Sequence, residues 1–562
     1  MIDQKVMLLD NRIVRIGCAV ISGLLLGFSF PPSPVYSLAF VAFIPFFFLL
    51  ATCSSIYKFA GYSYIFLFTF HLITVYWTGG FTVGKDQWMM IAGVAVLILH
   101  PVFFLPTILL SFFVKQKLGI TTGLIAFILF WISFEYLHSY SEYSFPWLTI
   151  GNSQAYDLAR IQILEYLSIY GMSLLILLFN LFAFLLLWRF MEGRWKFYSL
   201  KDSLSIGILV LLYFLPIIYG KIILKGELFN GERKIVAGVF QPNFDPWEKW
   251  GENYVEKWGS YINQLNTYIT ETKKMAISKP DLVIWPETAI PFHILLPRHL
   301  IYRSSLLALA DTLRIGIYTG LPTVEYFEST NAPATAQRIE NSDIYIESYN
   351  STILIQPDQR LGPIHRKTIL VPFAERIPYA ESFRFLIEPL KWNVGISSWG
   401  MGSDTLINEL DLRDGSKVKF SGMICYESVY PNYVREFVRR GAEFLVILTN
   451  DSWWGNTSGA YQHASFVSLR AVETRRWIVQ CANGGISCIV DPYGVTHITT
   501  ELYTKKSFIG SIYSRSDQTC YVRYGDLVGK CCTGISVMIL LFTFAWKGFL
   551  ERRWNGNNRF AK

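Results

Sequence analysis

The chain reads as a membrane protein with about eight transmembrane helices and one α/β domain outside the bilayer. Three observations predict this. Long apolar segments are confined to residues 12–220 and one late stretch, strands and helices alternate over 230–530, and Lys/Arg residues favour every second loop. Of 562 residues, 52% are hydrophobic and only 16% charged, with a mean hydropathy of +0.33. That excess is too large, and too unevenly spread, for an ordinary soluble enzyme.

A spanning helix needs about 17–25 apolar residues. Segments of that kind lie at 13–29, 36–53, 59–78, 88–113, 118–137, 162–188 and 204–220, with a lone one at 532–549. The first reads as an anchor, because "IVRIGCAVISGLLLGFSFPPSP" has no small-x-small cleavage site and further spans follow it. One side of the membrane receives Lys5, Arg12 and Arg15, then Lys58, then Lys115 and Lys117, then Arg189, Arg194, Lys196 and Lys201. Arg552, Arg553, Arg559 and Lys562 fall on the same side, whereas the opposite short loops hold little beyond Lys85 and Arg160. Basic loops stay in the cytoplasm. The expected division is a polytopic domain of about seven helices at 1–220, an extracytoplasmic domain at 221–531, and a helix with a cytoplasmic tail at 532–562. The net charge of +8 is then topological, and no nucleic-acid partner is expected.

In the outer domain, "KIVAGVFQ", "PDLVIWPE", "IGIYTGLP", "STILIQP", "FSGMICYE", "EFLVILTND" and "ISCIVDPYG" carry strand signals. Residues 252–275, 304–313, 432–441 and 460–477 carry helical periodicity. Together they predict a continuous apolar sheet covered by helices. The eight cysteines make no pattern. Cys18, Cys53, Cys531 and Cys532 lie in or beside spans, and Cys425, Cys481, Cys488 and Cys520 lack the CxxC spacing of zinc and redox sites. No metal or cofactor is expected.

Polar residues recur where strands end, which is where α/β active sites collect. "LVIWPET" places Glu287 there, "HRKTILVPFAERIP" gives Lys367 and Glu375, "MICYES" gives Cys425 with Tyr426 and Glu427, and "LTNDSWWG" gives Asn450 and Asp451. Each has a plain structural reading as cap, turn or solvated charge. As a set they make chemical sense. A neutral thiol is a weak nucleophile that needs a base or a nearby cation. A glutamate can take its proton, and a lysine can favour the thiolate and stabilise an oxyanion. No histidine stands in a comparable place: His365 precedes Lys367 by two, and His463 lies in a helical pattern.

These stretches resemble the carbon–nitrogen hydrolase (nitrilase) superfamily, whose triad is Glu, Lys and Cys on an α-β-β-α sandwich. With a multi-span N-terminal part, the whole chain resembles the apolipoprotein N-acyltransferases of Gram-negative bacteria. "FPWLTIGNSQ" (145–154) resembles that family's membrane-domain signature, and "VFQPNFDPWEKW" (239–250) its domain-opening strand and loop. The resemblance implies Glu287 as general base, Lys367 as oxyanion stabiliser and Cys425 as nucleophile. It further implies Glu375 as the carboxylate holding the lysine, Tyr426 and Glu427 beside the nucleophile, and Trp250 near the acyl site. The family usually has Gly where Ala374 stands, and Tyr is common where Arg376 stands. The implied reaction moves an acyl chain from a phospholipid donor, through a thioester, to the α-amine of a diacylglyceryl-modified apolipoprotein. The implied place is the bacterial inner membrane, with the site in the periplasm. Two other readings stay open from the residues alone: a membrane-tethered amidase that passes the acyl group to water, and a transporter with a sensor domain.

Overall fold

The computed structural model describes residues 11–84, 87–196, 199–226, 232–247, 249, 254–386, 399–403 and 405–557. The membrane part opens with α1 (Arg12–Gly27), α2 (Ile44–Thr52), α3 (Ile56–Val75), α4 (Gln87–Leu118), α5 (Ile120–His138), α6 (Leu164–Met191) and α7 (Leu200–Lys225). Six described helices are long and apolar enough to cross a membrane, namely α3 (with the short turn after it) to α7 and the late helix that begins at Leu527. The segments expected at 13–29 and 36–53 instead form a 16-residue helix and a 3-10 turn followed by the 9-residue α2. Pro32, Pro34 and Pro45 surround that break, and Pro lacks the N–H that helix continuation needs. The core of this part is aromatic: Phe43, Phe46 and Phe47 of the α2 segment meet Phe66, Phe127, Trp131 and Phe184 with ring centroids 4.7–5.9 Å apart.

The outer domain contains strands β1 (Lys234–Gln241), β2 (Leu282–Ile284), β3 (Gly316–Glu328), β4 (Gln337–Arg338), β5 (Ile344–Ile355) and β6 (His365–Arg366). They are followed by β7 (Asn408–Asp411), β8 (Lys417–Ile424), β9 (Phe444–Thr449), β10 (Ile478–Ala482), β11 (Cys488–Val490), β12 (Thr496–Thr499) and β13 (Lys506–Tyr513). The four covering helices are α8 (Tyr254–Met275), α9 (Leu300–Leu313), α10 (Pro431–Arg439) and α11 (Ser458–Thr474). After them come α12 (Cys520–Tyr524) and α13 (Leu527–Asn557), which returns to the membrane part.

There is not one continuous sheet but two. A seven-stranded sheet runs β13-β1-β2-β3-β5-β4 with β6 on β5, and a six-stranded sheet runs β12-β11-β10-β9-β8-β7. The two-residue alternation of each strand explains the layers. Val446 and Leu448 of β9 face the other sheet and pack with Ile235, Val239, Ile284 and Phe420, whereas Leu445 and Ile447 face α10 and α11 beside Phe437 and Val467. On the far side, Val283 of β2 meets Leu265 and Tyr268 of α8 and Leu306 of α9. The order of layers is therefore α-β-β-α, as the resemblance implied. Gly422 is required where the sheets meet, because a Cβ there would lie 2.0 Å from the Tyr318 hydroxyl.

Strands β1, β2 and β3 are mutually parallel, as are β8, β9 and β10. Their carboxyl ends carry Glu287, Cys425 and Asp451, so the topology gathers residues that are far apart in sequence. Gln462 of α11 couples this domain to the membrane part. Its Oε1 accepts from Trp77 Nε1 (3.0 Å) and Trp147 Nε1 (2.7 Å), and its Nε2 donates to the carbonyls of Pro31 (2.9 Å) and Thr74 (3.0 Å). A buried amide with every group satisfied fixes one relative placement of the parts it joins.

Candidate active site

Cys425 is the first residue after β8 and opens a 3-10 turn through Val429. Its φ is +49°, a left-handed conformation that a side chain adopts only when its surroundings impose it. The turn lifts the thiol out of the sheet, leaving Cys425 8% exposed. Thr288, directly after Glu287, is left-handed too, at +48°. Gly320 of β3 allows this second turn to pack closely, since a Cβ there would lie 2.4 Å from the Thr288 nitrogen.

Lys367 is fully buried and its Nζ lies 2.8 Å from Glu375 Oε1 and 3.4 Å from Glu287 Oε1. Asn350 of β5 donates its side-chain amide to Glu287 Oε1 at 2.7 Å, and its carbonyl accepts from the Lys367 backbone N–H at 2.7 Å. Glu375 is held in turn by the Val371 N–H at 2.8 Å. Burial disfavours the lysine's charge, yet the carboxylates of Glu375 and Glu287 outweigh it and hold Lys367 above the usual lysine range. Burial pushes the Glu287 carboxyl up; Lys367 opposes that and the Glu375 charge adds to it. Burial also pushes the Cys425 thiol well up, aided by the Glu287 charge and opposed by Lys367. The resting site therefore contains a protonated thiol, a fixed cation and a carboxylate of raised basicity. This arrangement can abstract a thiol proton and neutralise an oxyanion.

Glu427 does not reach this group. It is a buried hub behind it, accepting from Thr368 N (2.6 Å), Ile424 N (2.8 Å) and Tyr433 OH (3.1 Å), with His365 Nε2 at 3.1 Å. One carboxylate thus ties the Cys425 turn to the strand end that carries Lys367. Burial raises its pKa, but His365 and the backbone donors prevail and hold it below the ordinary carboxylate range. A depressed folded pKa gives stability that is present above about pH 4.3 and lost as pH falls through the folded value. Glu427→Gln is expected to cost about 3 kcal/mol at neutral pH. Thermal unfolding in detergent should show a gap from the parent protein that narrows on acidification, and equal midpoints at neutral pH would refute this.

Tyr426 points to the membrane part. Its hydroxyl donates to the Ser144 carbonyl at 2.9 Å, and its ring lies over Phe145 and Trp147 with centroids 6.4 and 6.5 Å away. The segment 145–154 that the sequence singled out thus forms the floor beneath the residue next to the thiol. Trp250 lies outside the described residues. Sequence reasoning missed Asn350, His365 and a second buried chain: His463 Nδ1 is 2.9 Å from Asp451 Oδ1, and its Nε2 is 2.8 Å from Ser428 Oγ. It counted Asn450 and Asp451 among the strand-end polar residues without giving them a partner, and it read His463 as a helical residue. The signal available was the apolar setting of both, "LVILTND" and "YQHASF", where a polar group needs a buried partner.

Residues 22–182 match the family model described as apolipoprotein N-acyltransferase N-terminal domain, and residues 237–513 match that described as carbon-nitrogen hydrolase. An apolipoprotein N-acyltransferase from Chlorobaculum tepidum is 32% identical over 93% of this chain and 95% of its own. The chain belongs to the apolipoprotein N-acyltransferase family. A second member, from Geobacter metallireducens, is 29% identical over 94% of this chain and 95% of its own. A solved nitrilase-superfamily structure from Saccharomyces cerevisiae covers 50% of this chain and 91% of its own, at 16% identity and a TM-score of 0.35. As a member of the apolipoprotein N-acyltransferase family with six spanning-length helices, the chain is a membrane-protein acyltransferase.

Proposed function

We propose that this protein moves an acyl chain from a phospholipid, through a thioester on Cys425, to the α-amine of the N-terminal diacylglyceryl-cysteine of apolipoproteins. The reading rests on one observation above the others: similarity to a named apolipoprotein N-acyltransferase over almost the full length of both chains. Glu287 takes the thiol proton as sulfur attacks the ester carbonyl, and the Lys367 ammonium faces the developing oxyanion. The intermediate collapses with the same proton passing to the glycerol oxygen, so a lysophospholipid leaves and the thioester remains. The apolipoprotein amine then attacks the thioester carbonyl, Glu287 accepts its proton, and the departing thiolate regains a proton from Glu287. Glu375 keeps the lysine in place throughout.

A membrane part suits this chemistry. Both substrates are held in a bilayer, and withdrawing acyl chains into water costs about 0.8 kcal/mol per CH₂. We place the protein in the bacterial inner membrane with 221–531 in the periplasm, supported by the Lys/Arg alternation. Reporter fusions near residue 270 should register outside, and a cytoplasmic signal there would overturn the placement. The activity is tested by incubating the purified protein with one defined phospholipid and measuring intact mass, then adding a diacylglyceryl-cysteine peptide. The expected result is an acyl adduct that moves to the peptide amine. An adduct that decays only to free fatty acid would favour an amidase instead.

A further inference from the structure

The chain Asp451–His463–Ser428 serves no step in the mechanism above, yet it converges on Cys425 from β9 and α11. One ligating atom each of Cys425, Asp451 and His463 lie within 4.8 Å of one another, and all three residues are buried. The hydrogen bonds fix the state of the imidazole. The Ser428 hydroxyl donates to the Cys425 carbonyl at 2.8 Å, so Nε2 of His463, 2.8 Å from that hydroxyl, donates to it. Nδ1 is then left to share one cation with Asp451 Oδ1, 2.9 Å away. In the resting protein that cation is a proton. Thr449 Oγ1 supports the same carboxylate oxygen at 3.0 Å, while Asp451 Oδ2 is buried with no hydrogen-bond partner.

We propose that Cys425, His463 and Asp451 form a binding site for a borderline-soft divalent cation of the Zn²⁺ type, whose occupation blocks the thiol. The ligand set matches the chemistry of that ion, which takes thiolate sulfur, imidazole nitrogen and carboxylate oxygen in tetrahedral geometry. The fourth position would be left to water. The second shell is already built, because a ligating imidazole is oriented by a hydrogen bond from its other nitrogen, here to Ser428. Bond lengths of about 2.3 Å to sulfur and about 2.0 Å to nitrogen and oxygen require ligand atoms about 3.3–3.6 Å apart. With all three atoms within 4.8 Å of one another, no pair needs to close by more than about 1.5 Å.

The charges of Glu287 and Asp451 both oppose a bare thiolate at Cys425, and a bound dication would offset them. Binding displaces the thiol proton and the proton shared by His463 and Asp451, both to solvent, with no redox change.

The test uses the full-length, metal-free protein in detergent, with Co²⁺ as a coloured stand-in for Zn²⁺. One equivalent should produce a thiolate-to-cobalt charge-transfer band that Zn²⁺ removes. The band should vanish in Cys425→Ala, weaken at least about tenfold in affinity in His463→Gln and Asp451→Asn, and persist in Cys531→Ser. Should the His463 and Asp451 variants fail to fold, the parent protein decides alone: Zn²⁺ should protect Cys425 from alkylation, and chelation should restore labelling. No band, a band that survives Cys425→Ala, affinity unchanged in both ligand variants, or no protection would each overturn the site. Because the readout is spectroscopic, its failure leaves the acyl-transfer reading untouched.

Discussion

Cys425→Ala protein is expected to fold, enter detergent or membrane normally, and carry no acyl adduct after incubation with a defined phospholipid. The side chain removed is small. Ala accepts the +49° backbone no worse than Cys does, so stability should change by only about 1–2 kcal/mol. Catalytically the loss is total, since no other described thiol stands beside Lys367. Cys425→Ser should be nearly as inactive. An alkoxide is far costlier to form than a thiolate, and a buried Glu287 is matched to the thiol and not to an alcohol. Intact mass and lysophospholipid release measure both variants. An undiminished adduct in Cys425→Ala would remove Cys425 from the reaction and, with it, the mechanism.

Glu287→Gln and Lys367→Met are expected to slow single-turnover lysophospholipid release by about 10²–10⁴ and about 10²–10³, respectively. Glutamine keeps the shape of Glu287 and loses the base, so both thioester formation and its aminolysis slow. Methionine keeps much of the lysine stem and loses the cation that faces the oxyanion. It also takes from Glu287 and Glu375 the ammonium that lies 3.4 and 2.8 Å from them. The double variant leaves only one of the two carboxylates in that position. It should therefore be little worse than the slower single variant, as expected for residues acting as one unit. Multiplicative losses, or wild-type acylation by Glu287→Gln, would mean that the three residues are not one catalytic group.

Much of this was legible locally. A run of apolar residues says that a segment needs burial, and β1 was bounded correctly at 234–241 because its run stops at a charge on one side and Pro242 on the other. Cys425 and Glu287 stood out because each is polar at the end of an apolar run, whereas Lys367, after His365 and Arg366, drew its role from the resemblance. At 13–29 and 36–53 the apolar segments are helical but shorter than expected, at Arg12–Gly27 and Ile44–Thr52. The local signal failed for the sheet. A two-residue period shows that one face of β9 is buried and the other is too, but not that one meets a second sheet and the other two helices.

What only the tertiary structure decided are the pairings across long stretches of chain. Glu427 meets His365 62 residues away, Tyr426 meets Ser144 282 away, and Gln462 meets Trp77 385 away. Each partner looks ordinary in its own segment. Sequence determines that a buried polar group must be satisfied, because leaving it bare costs about 1–3 kcal/mol. Which group satisfies it depends on strand order and on how α11 enters the membrane part, and those follow from packing the whole chain at once.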